Sequence, residues 1–520
     1  MSFLLGIDVG TSSTKSEVFD LNGRSLAVAQ QEYPILSPRM GWAEEEPEAG
    51  WWSAIKKTVR AVLKISGINT EDVISICVSG TNACVPVGRN GRALMNAVMQ
   101  LDTRSVRFAD WILHVLGEDR VFQITGNRVA SGTFIAPTIL WIRENRPDIF
   151  DKTYKFMVPT GFATMKLTDE YTIDWSRCST TLLFDIGTSK KWSDELCDAL
   201  GIPIDKLPEP HISKDVVGEV TRKASRETGL ASGTPVVAGC MDTVSAAVGS
   251  AIIDAGDTFY TLGTLGRLCY CLDEPKFDKR FINICHAIEG KWLAMGLMHG
   301  GGLSLRWFRD ELGFLEVEKA KSVGKTPYEV IDEEVEESPP GSRGIIYLPY
   351  LSGERSPIWD SHAKGVLLGF TVMHRRSDLA RAIEEGVAYS LRHNIEVFES
   401  MSFEVRKVRM GGGGAKSRVW RQIIADVIGK PVEVTENLST ETIGDALIAG
   451  MGVGVYNLDK VKDVVRIEGE VKPDMENHKL YTKLFDIYKK VYLHLKEDFA
   501  ELNTALESGD YSTRRPAERI

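Results

Sequence analysis

Long hydrophobic runs, paired cysteines and basic blocks are all missing from this chain. No apolar stretch approaches the roughly 18 residues of a membrane-spanning helix, and the N-terminus lacks the features of a signal peptide. The eight cysteines are scattered without a CxxC pair, which predicts reduced, buried thiols. A formal net charge of −10 disfavours nucleic acid and anionic membranes as partners. We therefore expect a globular, cytoplasmic protein that binds no nucleic acid and no membrane.

Strands and helices alternate in the first half of the chain. The segments LLGIDVG, KSEVFD and SLAVAQQEYPIL predict strands, the last two joined by a turn at Asn22-Gly23. Residues 47–66 carry apolar side chains at helical spacing, and residues 73–80 predict a buried strand. Because 520 residues are too many for one core, this pattern predicts an α/β protein of two or three domains.

A second strand–turn–strand unit lies about half a chain later, at residues 258–270. Its Gly263-Thr264 turn has the same place in the unit as Gly10-Thr11 has in the first. Gly-Thr is a common turn pair, so the match is weak evidence by itself. The shared position nevertheless favours two similar domains with a cleft between them, divided near residues 250–257.

Two long helices are predicted in the C-terminal part. Residues 377–401 predict an amphipathic helix with acidic and basic residues on its polar side. A second helix, at 476–506, carries an apolar stripe formed by Leu480, Leu484, Ile487, Val491 and Leu495. Such a stripe can form a homodimer, but it more often packs on its own domain. The last dozen residues predict a disordered tail.

The first strand ends in an acid, Asp8, and continues into Gly10, Thr11 and Ser12. Desolvating a carboxylate at a strand end is costly unless a cation or hydrogen-bond donors meet it. The glycine and the hydroxyls can direct donors at an anion. The carboxylate suits a metal ion, and the turn suits phosphate.

Four glycines at residues 411–414 lie between a predicted strand at 405–410 and a predicted helix. Ala415 precedes Lys416, so the segment is not a Walker A loop, and no third glycine completes a dinucleotide fingerprint. A tight turn would explain the glycines, but four are more than a turn needs. We favour a nucleotide lying against the loop and the helix N-terminus.

Asp242 follows the apolar segment VVAG and precedes a predicted helix. An aspartate at this position commonly caps the helix. One acid beside a nucleotide site is also what phosphoryl transfer to an alcohol requires, because a carboxylate can accept the hydroxyl proton. The residues alone leave both interpretations open.

Seven segments in order resemble the FGGY family of carbohydrate kinases across nearly the whole chain. They are IDVGTSSTK, AVMQLDTRS, VVAGCMDTVSAAVG, YTLGTLG, GGGLSLRWFRDE, IIYLPYLSGERSPIWDSHAKGVLLGF and GGGGAKSRVWRQIIADVIGKPVEV. The resemblance implies two actin-like, ribonuclease H-like α/β domains that close on ATP, Mg²⁺ and a sugar or polyol. The implied domains are 1–252 on the sugar side, 253–456 on the nucleotide side, and 457–520 as a C-terminal helix and tail.

The resemblance also implies roles for individual residues. Asp242 would be the general base, and Asp8 would lie by Mg²⁺ through water. The residues expected around ATP and its phosphates are Gly10, Thr11, Ser12, Lys15, Gly263, Thr264, Gly302, Gly412, Gly413 and Ser417. The residues expected around the sugar are Thr81, Asn82, Gln100, Asp102, Asp242 and Thr243.

The segments GERSPIWD and RAIEEGVAYSLR are most similar to the xylulokinase branch, which favours a pentulose such as D-xylulose. Thr81-Asn82, Gln100 and Thr243 depart from that branch at positions expected to contact the sugar. Another ketose or polyol, such as ribulose, erythritol or a glycerol-like substrate, is therefore the alternative. A further alternative of another class is an actin-like ATPase that is not a kinase.

Overall fold

The computed structural model describes residues 1–437 and 439–507, which form two compact units. The first unit comprises Met1–Ala255, Tyr270–Met295 and Glu436–Arg466. The second unit comprises Gly256–Cys269, Gly296–Thr435 and the residues from Ile467 onward. The predicted tail lies outside the described residues, and the predicted domain boundaries stay a prediction.

Strands and helices alternate along most of the chain. In chain order, the strands are β1 (Phe3–Val9), β2 (Ser13–Asp20), β3 (Ser25–Glu32), β4 (Glu44–Glu45), β5 (Val73–Gly80), β6 (Ala83–Val87), β7 (Ala97–Met99), β8 (Lys155–Met157), β9 (Thr172–Asp174), β10 (Glu209–His211), β11 (Val216–Glu219), β12 (Pro235–Val237), β13 (Cys240–Met241), β14 (Thr258–Leu262), β15 (Gly266–Leu272), β16 (Ile282–Cys285), β17 (Trp292–Met298), β18 (Ile346–Leu348), β19 (Val366–Leu368), β20 (Val408–Gly411), β21 (Val432–Thr435) and β22 (Ile467–Val471). The α-helices are α1 (Ser53–Ser66), α2 (Val106–Leu116), α3 (Glu118–Thr125), α4 (Ala136–Asn145), α5 (Pro147–Lys152), α6 (Pro159–Thr168), α7 (Trp175–Cys178), α8 (Asp194–Leu200), α9 (Arg222–Thr228), α10 (Asp242–Gly249), α11 (Gly302–Trp307), α12 (Phe314–Val323), α13 (Pro327–Glu337), α14 (Arg376–Ser400), α15 (Arg418–Ile428), α16 (Thr440–Gly452), α17 (Leu458–Val464) and α18 (Met475–Glu507).

The first unit is built on a sheet whose strand order is β11-β12-β5-β1-β2-β3, with β13 also paired to β5. Strands β1, β2 and β3 are antiparallel neighbours, which confirms the predicted strands and the Asn-Gly turn. The apolar side chains of β1 and β5 are buried on both faces, as expected for central strands. Strand β5 covers the residues that the sequence predicts.

The carboxyl ends of three parallel strands of this sheet lie side by side. In the pairing register, Asp8 of β1 is opposite Ser79 of β5, and Ser79 is opposite Cys240 of β13. The Gly10-Thr11 turn, the Thr81-Asn82 pair and Asp242 each follow one of these strand ends within two residues. In open α/β sheets this edge is where ligands bind.

Helix α10, which begins at Asp242, is held against α16 by a close approach of their backbones. A Cβ atom at Gly444 of α16 would lie only 1.8 Å from the carbonyl oxygen of Ser245. Glycine is therefore the residue type that permits this crossing. The start of α10 is consequently positioned by backbone packing as well as by β13.

The second unit repeats the local arrangement of the first. Strand β14 has β15 and β20 as neighbours and is parallel to β20. In the same way, β1 has β2 as its hairpin partner and β5 as its parallel neighbour. The prediction of two similar strand–turn–strand units is confirmed. The strand before the glycines begins at Val408, three residues later than predicted.

Both long C-terminal helices form, but their buried faces differ from those predicted. In α18 the aromatic residues Tyr481, Phe485 and Tyr488 are fully buried, whereas Leu480 and Ile487 are exposed. The helix packs on α15 and β18 of the second unit, and these aromatic rings contact Tyr389 of α14. The predicted stripe was wrong in register, because aromatic and aliphatic residues alternate around the helix and only packing selects the face.

Helix α14 also differs from what the sequence predicts. Its acids were expected on a solvated side together with basic residues. Instead Arg381, Glu384 and Glu385 are all buried, with exposed fractions of 7%, 0% and 1%. The helix runs through the interior of the second unit, so its charged residues must find partners there or lose their charge.

The cysteines and the apolar helices can also be compared with the sequence-based expectations. All eight cysteines lie in the described residues, and each is buried and free of disulfide bonds, as predicted. None of the described helices is long and apolar enough to cross a membrane.

Candidate active site

Asp8 stands half-buried at the end of β1 and is the predicted metal-side acid. It lies opposite Lys15 in the β1–β2 register, so the two side chains share one face of the hairpin. The Ser79 hydroxyl lies 3.5 Å from its Oδ1. The Lys15 ammonium lies 3.5 Å from the Ser439 hydroxyl. The end of β1 therefore has a carboxylate, an ammonium group and hydroxyl groups close together.

The turn after β1 is closed by its own backbone. The Gly10 N–H donates to the Ser13 carbonyl at 2.9 Å, and the Tyr33 hydroxyl donates to the Gly10 carbonyl at 2.7 Å. Ser12, at the tip, is exposed. The Thr11 hydroxyl lies 3.0 Å from the Thr81 hydroxyl, which ties the turn to the end of β5.

Thr81, Asn82 and Gln100 are brought together, as the sequence predicts. The Gln100 side-chain amide donates to the Thr81 hydroxyl at 3.1 Å, and its backbone N–H donates to the Asn82 carbonyl. The Asn82 amide nitrogen donates to the Thr133 carbonyl at 2.9 Å, while its Oδ1 is buried without a partner among the described residues. The group offers neutral hydroxyls and amides, which suits a polyol.

Asp102 is placed differently from the other predicted sugar residues. Its carboxylate accepts hydrogen bonds from the Ala43 N–H at 2.6 Å and from the Arg104 guanidinium at 2.7 and 2.8 Å. Arg104 also pairs with Glu44 at 2.7 Å, and both Asp102 and Arg104 are buried. This triad fixes the loop after β7, and a direct contact of Asp102 with sugar stays a prediction.

Asp242 is the first residue of α10, whose N-cap is Met241, so the capping interpretation is not supported. Its Oδ1 accepts from the Thr243 backbone N–H at 2.6 Å and from the Thr243 hydroxyl at 3.0 Å. The half-buried carboxylate is thus oriented from one side.

A buried acid behind Asp8 was missed by sequence reasoning. Asp445 of α16 accepts from the hydroxyls of Ser245 at 2.6 Å and Ser79 at 3.0 Å. Burial raises the pKa of Asp445 well above its usual range, and the nearby charge of Asp8 raises it further. Its local sequence, TIGDALIAG, is an ordinary helix, so no motif pointed to it.

The second unit contains a cavity of about 610 Å³. Five of the predicted nucleotide residues line it, namely Gly263, Thr264, Gly302, Gly413 and Ser417. Its other lining residues are Leu262, Leu305, Arg306, Thr326, Tyr328, Glu329, Asp332, Gly414, Lys416 and Trp420. A volume of this size is suited to a ligand as large as a nucleotide.

The glycine run shapes one wall of this cavity. Gly412 has a φ of 82°, and a Cβ there would lie 2.8 Å from the Leu262 carbonyl oxygen, so it serves the turn. A Cβ at Gly413 would meet no protein atom within 4 Å. The open space at Gly413 faces the cavity, and Ser417 caps α15 by accepting from the Trp420 N–H at 3.0 Å.

Arg306 is a cavity residue that sequence reasoning missed. Its Nη2 donates to the Thr264 hydroxyl at 3.2 Å. The Gly302 and Leu303 N–H groups donate to the carbonyls of Gly263 and Thr264 at 2.8 and 2.9 Å. A cation beside a glycine turn suits phosphate. The residue belongs to GGGLSLRWFRDE, so the motif contained the signal.

Two adjacent buried acids of α14, Glu384 and Glu385, differ in their hydrogen bonding. Glu385 accepts from Arg381 at 2.8 Å, from the Tyr481 hydroxyl at 2.7 Å and from the Ser342 hydroxyl at 2.8 Å. Neither carboxyl oxygen of Glu384 has a hydrogen-bond partner among the described residues. Burial raises the pKa of Glu384 well above its usual value. Glu384 is therefore a buried acid whose carboxyl oxygens make no hydrogen bond with the described residues.

Replacing Glu384 by leucine is expected to increase the free energy of unfolding by about 1–3 kcal/mol at neutral pH, because it removes a buried unsatisfied group. The folded pKa is raised, so Glu384 opposes folding increasingly as pH rises above its ordinary value of 4.5. The gain should be larger at pH 8 than at pH 5 in urea denaturation. Glu385→Leu is the matched control and should destabilise. A loss of stability in Glu384→Leu would contradict the assignment.

Paired α/β units with phosphate-type turns, acids at adjacent strand ends and a nucleotide-sized cavity define an actin-like phosphotransferase. The N-terminal domain model of the FGGY family of carbohydrate kinases matches residues 3–249, and the C-terminal domain model matches residues 259–453. The chain belongs to the FGGY family of carbohydrate kinases. It is a phosphotransferase with an alcohol group as acceptor, and its family implies ATP as the donor.

Similar proteins agree with this assignment over the whole chain. Xylulose kinase of Bacillus subtilis (strain 168) is 32% identical over 98% of this chain and 99% of its own length. Gluconokinase of the same organism is 29% identical over 96% of this chain and 98% of its own length. The crystal structure of xylulose kinase from Rhodospirillum rubrum superposes with a TM-score of 0.87 at 27% identity, covering 96% of this chain and 100% of that one.

Proposed function

We propose that this chain transfers the γ-phosphoryl group of ATP to a hydroxyl of a pentulose, with D-xylulose as the first candidate. The observation that carries the proposal is the meeting of Asp8, Thr81 and Asp242 at the ends of three adjacent parallel strands. The similarity to xylulose kinases over nearly the full length supports the choice of substrate.

Asp242 is proposed as the general base. Its carboxylate accepts the proton of the attacking hydroxyl while that oxygen bonds to the γ-phosphorus, and the bond to the ADP oxygen breaks. Thr243 donates two hydrogen bonds to one oxygen of Asp242, which orients the carboxylate. Ionised Asp242 is the form that can accept the proton.

Asp8 is proposed to lie near Mg²⁺, with Thr11, Ser12 and Lys15 toward the transferred phosphoryl group. A half-buried carboxylate with the Ser79 hydroxyl beside it is the type of oxygen donor that this hard cation prefers, so the residues fit. When bound, Mg²⁺ would supply positive charge to the phosphate oxygens. Lys15 would add charge from the neighbouring strand, opposite Asp8.

The cavity of the second unit is proposed to hold ATP. The phosphates would lie at Gly263 and Thr264, where Arg306 donates to the threonine hydroxyl. Gly302, Gly413 and Ser417 would line the nucleoside. Gly412 would support this wall through its turn.

Gluconate is a second candidate because a gluconokinase is among the relatives. Its carboxylate would need a free cation near the sugar residues. Arg104, the arginine nearest to them in sequence, is already neutralised by Asp102 and Glu44. The neutral group Thr81, Asn82 and Gln100 favours an uncharged ketose or polyol, with ribulose, erythritol and glycerol as further candidates. An ADP-release assay over pentuloses, hexuloses, polyols and gluconate tests the choice; turnover with gluconate alone would contradict it.

Gln100→Ala is expected to change the ranking of sugars more than the KM for ATP. The side-chain amide that would meet a sugar hydroxyl is lost, which should reduce kcat/KM for the best sugar by about 3–10-fold. Steady-state kinetics over the sugar panel measure this. Gln123→Ala, an exposed glutamine of the same unit, is the control. An unchanged ranking in Gln100→Ala would place sugar selection elsewhere.

The remaining proposals concern the partners, the cellular location and the oligomeric state of the protein. The net charge of −10 supports the absence of a nucleic-acid partner. Buried cysteines without disulfides support a reducing, cytoplasmic location. A homodimer is compatible with the chain, although the aromatic face of α18 is already used within its own unit.

A further inference from the structure

Asp332 of α13 lines the cavity and, unlike its neighbour Glu329, takes no part in capping the helix. Its neighbour Glu329 accepts from the backbone N–H of Thr326 at 2.7 Å and closes the capping box of α13. The Ser417 hydroxyl donates a hydrogen bond to Asp332, and the charges of Glu336 and Glu329 act unfavourably on it. An acid that lines a cavity and is not needed for folding is available to a ligand.

The charges along the cavity indicate which end of a nucleotide Asp332 would meet. Arg306 stands beside Thr264, and Asp332 stands beside Ser417 at the start of α15. Because a carboxylate repels phosphate, Asp332 belongs to the nucleoside end. Tyr328 lies one helical turn before Asp332 on the same face of α13, and Trp420 lines the cavity next to Ser417. Aromatic side chains around an acid suit a planar base with a polar edge.

Glu384 lies behind this wall, close to Asp332. The backbone carbonyl of Glu384 accepts from the Trp420 indole at 3.2 Å, and its carboxyl group feels the charge of Asp332. Burial raises the pKa of Glu384 well above its usual range. Burial raises the pKa of Asp332 only to about 6, so Asp332 is mostly ionised at neutral pH.

We propose that the Asp332 carboxylate accepts a hydrogen bond from the 6-amino group of adenine and thereby selects ATP against nucleotides with a 6-oxo base. This inference rests on the proposed nucleotide role of the cavity. A 6-amino group presents N–H donors to the carboxylate, whereas a 6-oxo group presents lone pairs that the carboxylate repels. A site that expects a donor rejects the analogue that lacks one.

The test compares ATP with inosine triphosphate, whose base carries an oxo group at position 6 and a hydrogen on N1. The wild-type kcat/KM ratio of ATP to inosine triphosphate should be about 10–100-fold, the effect of one hydrogen bond to a charged group. In Asp332→Asn the ratio should fall to within about threefold of one, because an amide can accept from 6-amino or donate to 6-oxo. Glu337→Gln, an exposed acid on the same helix that does not act on Asp332, should keep the wild-type ratio.

Two further measurements make each outcome decisive. The proposal is overturned if Asp332→Asn leaves the kcat/KM ratio of ATP to inosine triphosphate unchanged. It is also overturned if the variant changes only the ratio of ATP to 2′-deoxy-ATP, because that result would assign Asp332 to the ribose. Calorimetry with ADP and inosine diphosphate, without sugar, gives the base preference independently of turnover. A protein that prefers ADP through Asp332 but phosphorylates no sugar would refute the proposed function and support this inference. A protein that binds neither diphosphate would refute both.

Discussion

Asp242→Asn is expected to lower kcat by about 10²–10⁴-fold at saturating ATP and sugar, the usual contribution of a positioned base. Asparagine keeps the shape of the side chain and can still accept from the Thr243 N–H, but it cannot take the hydroxyl proton. ADP affinity should stay near wild type, because the nucleotide cavity belongs to the second unit. Stopped assays of ADP release and calorimetry with ADP measure the two quantities.

The control for this variant is Asp273→Asn, which changes an exposed acid of the same unit. Its kcat should equal that of the wild type. Loss of the acidic limb of the kcat/KM–pH profile in Asp242→Asn would further identify the titrating base. Full turnover in Asp242→Asn would show that another group accepts the proton.

Asp8→Asn is expected to lower kcat/KM for ATP by about 10–100-fold, the range for a residue that acts on a metal through its hydration shell. The Mg²⁺ concentration for half-maximal rate should rise, since a negative charge beside the cation is lost. Rates measured over a Mg²⁺ series test both effects. Sugar affinity without nucleotide, measured by calorimetry, should change little.

Glu32→Gln is the matched control, because Glu32 is an exposed acid on β3 of the same sheet. It should keep the wild-type Mg²⁺ dependence. An equal loss of sugar and ATP affinity in Asp8→Asn would instead identify Asp8 as a structural residue of the β1–β2 hairpin.

Local patterns were sufficient where one short segment decides the structure. Strand β5 was predicted residue for residue, because a continuous apolar run between turn signals allows few alternatives. The turns at Gly10-Thr11 and Gly263-Thr264 were also found, since glycine and hydroxyls follow an apolar strand in both. Asp8 and Asp242 were also found, each at a strand end of the first unit, and the family resemblance added the proposed roles of these residues.

Local patterns failed where distant segments choose between equivalent surfaces. Helix α18 has apolar residues on more than one face, and only packing in the folded protein, including ring contacts with Tyr389 of α14, buried Tyr481 and Phe485 in preference to Leu480. The acids of α14 look solvated in sequence, and the interior position of the helix is what buries Glu384.

The sequence by itself determined the α/β class, the two strand–turn–strand units and the acids at strand ends, because each depends on a few neighbouring residues. Only the tertiary structure decided that Arg104 pairs with Glu44, that Asp445 lies behind Asp8, and that Asp332 lines the cavity of the second unit. Each of these arrangements joins segments far apart in the chain. Their partners are selected by burial and charge in the folded protein, and no local spacing encodes that selection.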